Sequence, residues 1–204
     1  MDASPIDICT CDDALARLKA GNARFLAGRA RFPTVQKDIL AELAKGQRPF
    51  ATILGCSDSR VPPELVFDAS FGELFVIRVA GNVIDPAVAG TLQYAAVHLR
   101  TPLLVVLGHD GCGAVDAAIA EKFRGAQHPG RIAVLVDDIE PALDGLDPTL
   151  PPDALLEAAV EANVRWTLRQ IVESPEWTSL PDDADRKAVG AVYELETGRV
   201  RFLD

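Results

Sequence analysis

Ala51-Thr52-Ile53-Leu54-Gly55-Cys56-Ser57-Asp58-Ser59-Arg60 opens as an apolar run and breaks at Gly55-Cys56, with an acid and a base two residues apart just beyond. A short apolar run that ends at a glycine reads as a buried strand. In open α/β sheets, chemistry sits just past the carboxyl ends of such strands. A second run, residues 102–106, leads into Gly108-His109-Asp110-Gly111-Cys112-Gly113. Cys56, His109 and Cys112 thus fall at two strand ends and form a borderline-soft donor set. Such a set suits zinc, with a fourth position left for water. Taken singly, each residue reads as well as a packed thiol or as a histidine bonded to a backbone carbonyl. The coincidence of all three at strand ends carries the metal reading.

Working outward, the chain alternates strand and helix patterns. Strands are expected at 51–55, 73–80, 103–108 and 188–195, and helices at 87–100, 112–121, 131–143 and 155–172. The pattern predicts an α/β fold: a central, mostly parallel sheet of four strands, with right-handed crossovers and helices on both faces. Residues 200–203 follow the Thr197-Gly198 turn and are expected to pair back as an antiparallel edge strand. In helix 155–172, Leu156, Val160, Val164, Leu168 and Ile171 share one face; in helix 87–100, Leu92, Ala95, Ala96 and Leu99 do.

The front end, residues 1–48, reads as a helical arm on a single domain whose α/β core is 49–204. Its helices are expected at 12–27 and 36–45. The first should be capped by Asp12 or Asp13 and apolar along Leu15, Leu18, Phe25 and Leu26. These helices lack a core of their own and must pack on the main domain or on another subunit. A homo-oligomer with this arm swapped onto its partner is the expectation.

The net charge of −10 argues against nucleic acid or an anionic membrane as partner, since both need a basic face. No apolar run is long enough to span a bilayer. Met1-Asp2-Ala3-Ser4-Pro5 lacks the basic and apolar regions of a secretory signal, so a cytoplasmic location is expected. In that reducing setting four cysteines read as ligands or free thiols, not disulfides. Cys9 and Cys11 read as free thiols in a flexible tail, His98 as a core or interface residue, and His128 as solvated.

Asp58 and Arg60 could be a solvated ion pair of little energetic weight. Beside a candidate ligand, however, a guanidinium keeps a carboxylate ionised and fixed in orientation. Cys56-Ser57-Asp58-Ser59-Arg60 followed by Gly108-His109-x-x-Cys112-Gly113 resembles the β-class carbonic anhydrases. So do Gly21-Asn22-Ala23-Arg24-Phe25, Gly46-Gln47-Arg48-Pro49, residues 72–82, Glu161-Ala162-Asn163-Val164 and Gly190-Ala191-Val192-Tyr193.

The resemblance implies reversible hydration of carbon dioxide to bicarbonate and a proton by hydroxide on one Zn2+ per chain. It implies Cys56, His109 and Cys112 as zinc ligands and Asp58 with Arg60 as the catalytic dyad that orients the hydroxide. It also implies Gln47 as a donor to substrate, and Phe75, Ala80 and Tyr94 as the lining of a small apolar pocket. It leaves open whether water or Asp58 is the resting fourth ligand. Ile53 stands where a bicarbonate-regulated branch has tryptophan, and Arg78 alone matches that branch's regulatory site. The plant-like, non-regulated branch is therefore expected, as a dimer or tetramer. Competing readings are zinc hydroxide acting on carbon disulfide or carbonyl sulfide, a structural zinc in a bicarbonate-binding module, and a redox protein using Cys56 and Cys112. The last leaves His109 unexplained, and a structural zinc usually closes with four protein ligands.

Overall fold

Five strands, β1 (Ala51–Gly55), β2 (Leu74–Arg78), β3 (Leu103–His109), β4 (Lys187–Tyr193) and β5 (Val200–Phe202), form one sheet in the order β2-β1-β3-β4-β5. The computed structural model describes residues 9–31, 40–41, 43–180 and 185–203. The first four strands are parallel, and β5 pairs antiparallel with β4. β1 and β3 are buried along their whole length, as their unbroken apolar runs require. From β1 the chain steps outward to β2, then crosses back over β1 to β3. This reversal of direction puts a topological switch point at the ends of β1 and β3.

The helices are α1 (Cys11–Leu26), α2 (Pro63–Val66), α3 (Pro86–Tyr94), α4 (Gly113–Arg124), α5 (Arg131–Ile139), α6 (Pro152–Val172) and α7 (Pro175–Thr178). Successive strand residues serve opposite faces. Leu54, Leu104, Val106 and Val192 pack with Leu92 of α3, Ile119 of α4, Ile139 of α5 and Val160 of α6. Ala51, Ile53, Leu103, Val105 and Leu107 pack with Ala14 and Leu18 of α1, Val66 of α2 and Phe67. Helices thus cover both faces, as expected.

Several local expectations need correction. The cap of α1 is Thr10, whose hydroxyl accepts from the Asp13 N–H while the Asp13 carboxylate accepts from the Thr10 N–H. The buried stripe of α1 is Cys11, Ala14, Leu18, Gly21 and Asn22, whereas Leu26 is exposed. The helix approaches so closely that a Cβ at Gly21 would lie 1.8 Å from the Phe67 carbonyl oxygen. Asn22 satisfies its whole amide there, donating to Val66 O and Gly198 O and accepting from Val200 N–H. The face of α1 packs on its own chain's sheet. Of the second front helix, residues 40–41 and 43 are helical, and 36–39 and 42 lie outside the described residues.

The helix expected over 87–100 becomes a π turn at Ala95–Leu99 and stops at Arg100, which is left-handed (φ 54°). His98 is exposed there beside Tyr94, not in the core. Cys11 is not in a flexible tail: it is buried, and its thiol and N–H both donate to Asp185. His128 is half-buried, with Nε2 bonded to the Ala117 carbonyl.

Candidate active site

Cys56 follows the last residue of β1, His109 is the last residue of β3, and Cys112 caps the start of α4. Because β1 and β3 are parallel neighbours with Gly55 opposite Leu107, their carboxyl ends deliver Cys56 and His109 to one point. The intervening turn is pinned by the Asp110 N–H to Tyr193 O at 3.0 Å, with Gly111 left-handed. The two Sγ atoms and a His109 ring nitrogen all lie within 4.8 Å of one another, and all three residues are buried. A tetrahedral ion at about 2.3 Å from sulfur and 2.0 Å from nitrogen needs ligand atoms roughly 3.5–4 Å apart. The cluster is within reach of that.

The histidine supports the same reading. Its Nδ1 donates to the Asp110 carbonyl at 2.8 Å, which leaves the lone pair on Nε2. That Nε2 is buried and has no hydrogen-bond partner, and an orphaned buried acceptor of this kind is costly unless something binds it. Burial opposes protonation of the ring, but Cys56, the Asp110 carbonyl and Asp58 outweigh it and raise the His109 pKa.

The two thiols share one proton. The Cys112 S–H directed at Cys56, helped by His109 and by the N–H groups of Asp58 and Gly81, holds Cys56 down to about 4. The neighbouring Cys56 anion and burial push Cys112 well above its ordinary range. Cys56 thus already has thiolate character, while the protons that His109 and Cys112 tend to keep are those a metal would displace on binding.

Asp58 lies beside the cluster, with Oδ2 at 3.8 Å from His109 Nε2. Arg60 grips both oxygens: Nε and the backbone N–H donate to Oδ1 at 2.9 Å, and Nη2 donates to Oδ2 at 2.7 Å. This grip holds the carboxyl well below the usual carboxylate range.

Arg78 fixes the loop from beneath, donating to Cys56 O at 2.9 Å and Asp58 O at 2.6 Å. These contacts make Arg78 a buttress of the Cys56–Asp58 backbone. Asp110 is half-buried, and burial with the nearby acids Glu194 and Glu157 raises its pKa.

Ala80 begins the tight turn Ala80–Asn82, whose Gly81 N–H reaches Cys56 Sγ at 3.4 Å. Phe75 of β2 and Tyr94 of α3 face each other with ring centroids 6.2 Å apart, and Tyr94 is 47% exposed. Gln47 is exposed, and no hydrogen bond joins it to the cluster among the described residues. Sequence reasoning placed no role on Gly81, Asn163 or Asp68. The first two lie inside segments quoted above for their resemblance, and that was their only signal.

Comparison with known proteins agrees with this geometry. A family model described as carbonic anhydrase matches residues 51–200. Carbonic anhydrase 2 of Mycobacterium tuberculosis is 49% identical over 192 residues, covering 92% of this chain and 90% of that protein. A carbonic anhydrase of Synechocystis is 31% identical over 205 residues, covering 93% of this chain and 71% of that one. Among solved structures, the β-carbonic anhydrase CafA of Aspergillus fumigatus superposes with a TM-score of 0.73 at 26% identity, covering 95% of this chain and 90% of CafA. With a strand-end Cys-His-Cys cluster on this sheet and these likenesses along nearly its whole length, the chain belongs to the β class of carbonic anhydrases.

Proposed function

We propose that this chain hydrates carbon dioxide reversibly to bicarbonate and a proton, using one zinc ion held by Cys56, His109 and Cys112. The observation that carries the reading is the buried convergence of those three donors within 4.8 Å, beside a carboxylate gripped at both oxygens. Zinc in such a set acidifies a water molecule and so supplies the nucleophile.

The protein's own groups do the rest. Asp58 stays ionised because Arg60 neutralises it, so it accepts a hydrogen bond from the attacking water and aims a lone pair at the carbon. The same grip favours Asp58 as an acceptor over Asp58 as a fourth ligand, because Arg60 Nη2 already draws on Oδ2 and ligation would compete with that bond. Phe75, Ala80 and Tyr94 form an apolar rim for a linear, non-polar substrate, and Gln47 is available to donate to the oxygen that gains charge.

The exposure of Tyr94 (47%), Val97 (46%), Leu65 (51%) and Phe71 (61%) supports a homo-oligomer that covers these side chains. A set that needs reduced thiols suits a reducing compartment such as the cytoplasm. With no tryptophan at Ile53 and with Arg78 engaged in the loop, the non-regulated branch is the better fit. The test is hydration of carbon dioxide by zinc-assayed protein, before and after chelation. The rate should vanish with the metal and return with added zinc; a rate that survives complete removal contradicts the reading.

A further inference from the structure

A buried polar side chain at the back of the sheet has a role that its position on an apolar helix face does not explain. Asn163 sits on α6, 1% exposed, among Val160 and Val164. Only half of its amide is satisfied: Nδ2 donates to the Gly81 carbonyl at 2.8 Å, while Oδ1 is buried without a partner. An orphaned acceptor costs about 1–3 kcal/mol, so the bond made by Nδ2 is the part of this amide that needs a reason.

Its one bond ends on a special residue. Gly81 is left-handed (φ 68°, ψ 14°), and a Cβ there would lie 2.7 Å from Ile139 Cδ1 and 3.2 Å from Ala114 Cβ. Space and backbone therefore both demand glycine. Glycine is also the residue least able to hold a chosen φ and ψ by itself. Yet the Gly81 N–H must stay aimed at Cys56 Sγ, 3.4 Å away. The turn is tied before Gly81 by the Val79 N–H to Gly55 O, and closed by the Asn82 N–H to Val79 O. The Gly81 carbonyl is held by Asn163 alone among the described residues.

We propose that Asn163 is a positioning residue for the metal site: by holding the Gly81 carbonyl it fixes the peptide that follows Gly81, and so the conformation of the glycine whose N–H, on the preceding peptide, donates to the Cys56 sulfur. This rests on the reading of Cys56 as a metal ligand. An N–H bonded to a ligand thiolate draws charge from the sulfur and fixes its direction. Loss of such supporting bonds typically costs 10–100-fold in metal affinity. For a contact one residue removed, the expected loss is about tenfold.

The test compares Asn163→Leu with Thr167→Val in the full-length protein. Leucine keeps the branched four-heavy-atom shape of asparagine and removes the donor. Thr167 is equally buried on the same helix and its hydroxyl has no partner, so it controls for packing. Two quantities are read: zinc affinity by chelator competition, and the sulfur-to-metal charge-transfer band of the cobalt-substituted protein. Asn163→Leu should bind zinc about tenfold more weakly and move the band to lower energy, because the sulfur becomes a better donor. Thr167→Val should change neither. An unshifted band with unchanged affinity in Asn163→Leu, or an equal shift in Thr167→Val, overturns the proposal.

If Asn163→Leu does not fold, cadmium-loaded wild-type protein decides. Scalar coupling between cadmium and the Gly81 amide proton, with slow exchange of that proton and of the Asn163 side-chain amide, is expected. Absence of both overturns the proposal. Failure of the wild-type protein to bind cobalt, cadmium or zinc at all would instead overturn the metal reading on which it rests.

Discussion

Asp58 and Arg60 show how a two-residue spacing becomes an electrostatic device. The chain turns just after β1, so Arg60 can fold back and donate from its backbone and its guanidinium to one carboxylate. Asp58→Asn keeps the shape and removes the charge. It should retain the wild-type zinc content while hydration falls at least about a hundredfold. Stopped-flow rates with metal analysis check this, and a variant within threefold of wild type would remove Asp58 from the mechanism. At this scale the site was largely legible. Cys56, His109 and Cys112 stand at glycine-marked strand ends, where burial and convergence follow from the sheet itself. Asn163 was not legible as a partner of Gly81. The two are 82 residues apart, and only the packing of α6 behind the turn joins them.

Between elements, a dense polar joint lies away from the site. Asp68, left-handed (φ 46°) and buried, accepts from Arg24 Nε of α1 at 2.5 Å and from the N–H and Nε of Arg31. Burial alone would raise its pKa, but the bonds from Arg24 and Arg31 win and lower it. A carboxyl lowered on folding stabilises above its unfolded value of about 3.9, and that contribution disappears as pH falls through the lower folded value. Asp68→Asn should therefore lower stability near neutral pH by about 2 kcal/mol, with the arginines' exposure discounted. The loss should shrink towards acid. Urea denaturation at two pH values checks it, and an equal penalty at pH 7 and pH 3 would contradict the linkage. The longer helices were foreseen, the short α2 and α7 were not, and of the buried stripe of α1 only Leu18 was. Close approach to Phe67 selects Ala14, Gly21 and Asn22, while a hydrophobic pattern gives weight to Leu26, which is exposed.

At the scale of the molecule, parallel strands with alternating helices fixed the class of fold, and the strand order with its reversal between β1 and β3 located the site. What sequence could not convey is which large apolar side chains one chain leaves exposed, among them Tyr94, Val97, Leu65 and Phe71. Light scattering at micromolar concentration should find a dimer or tetramer, and a monomer would leave that exposed surface unexplained. The central claim is that the buried Cys56-His109-Cys112 cluster is a zinc centre for hydrating carbon dioxide. Stopped-flow hydration from about pH 6.5 to 9, on protein of known zinc content, tests it most directly. The rate should climb with pH as the water ionises and should track zinc occupancy. A fully zinc-loaded protein with no rate above background at any pH would contradict it.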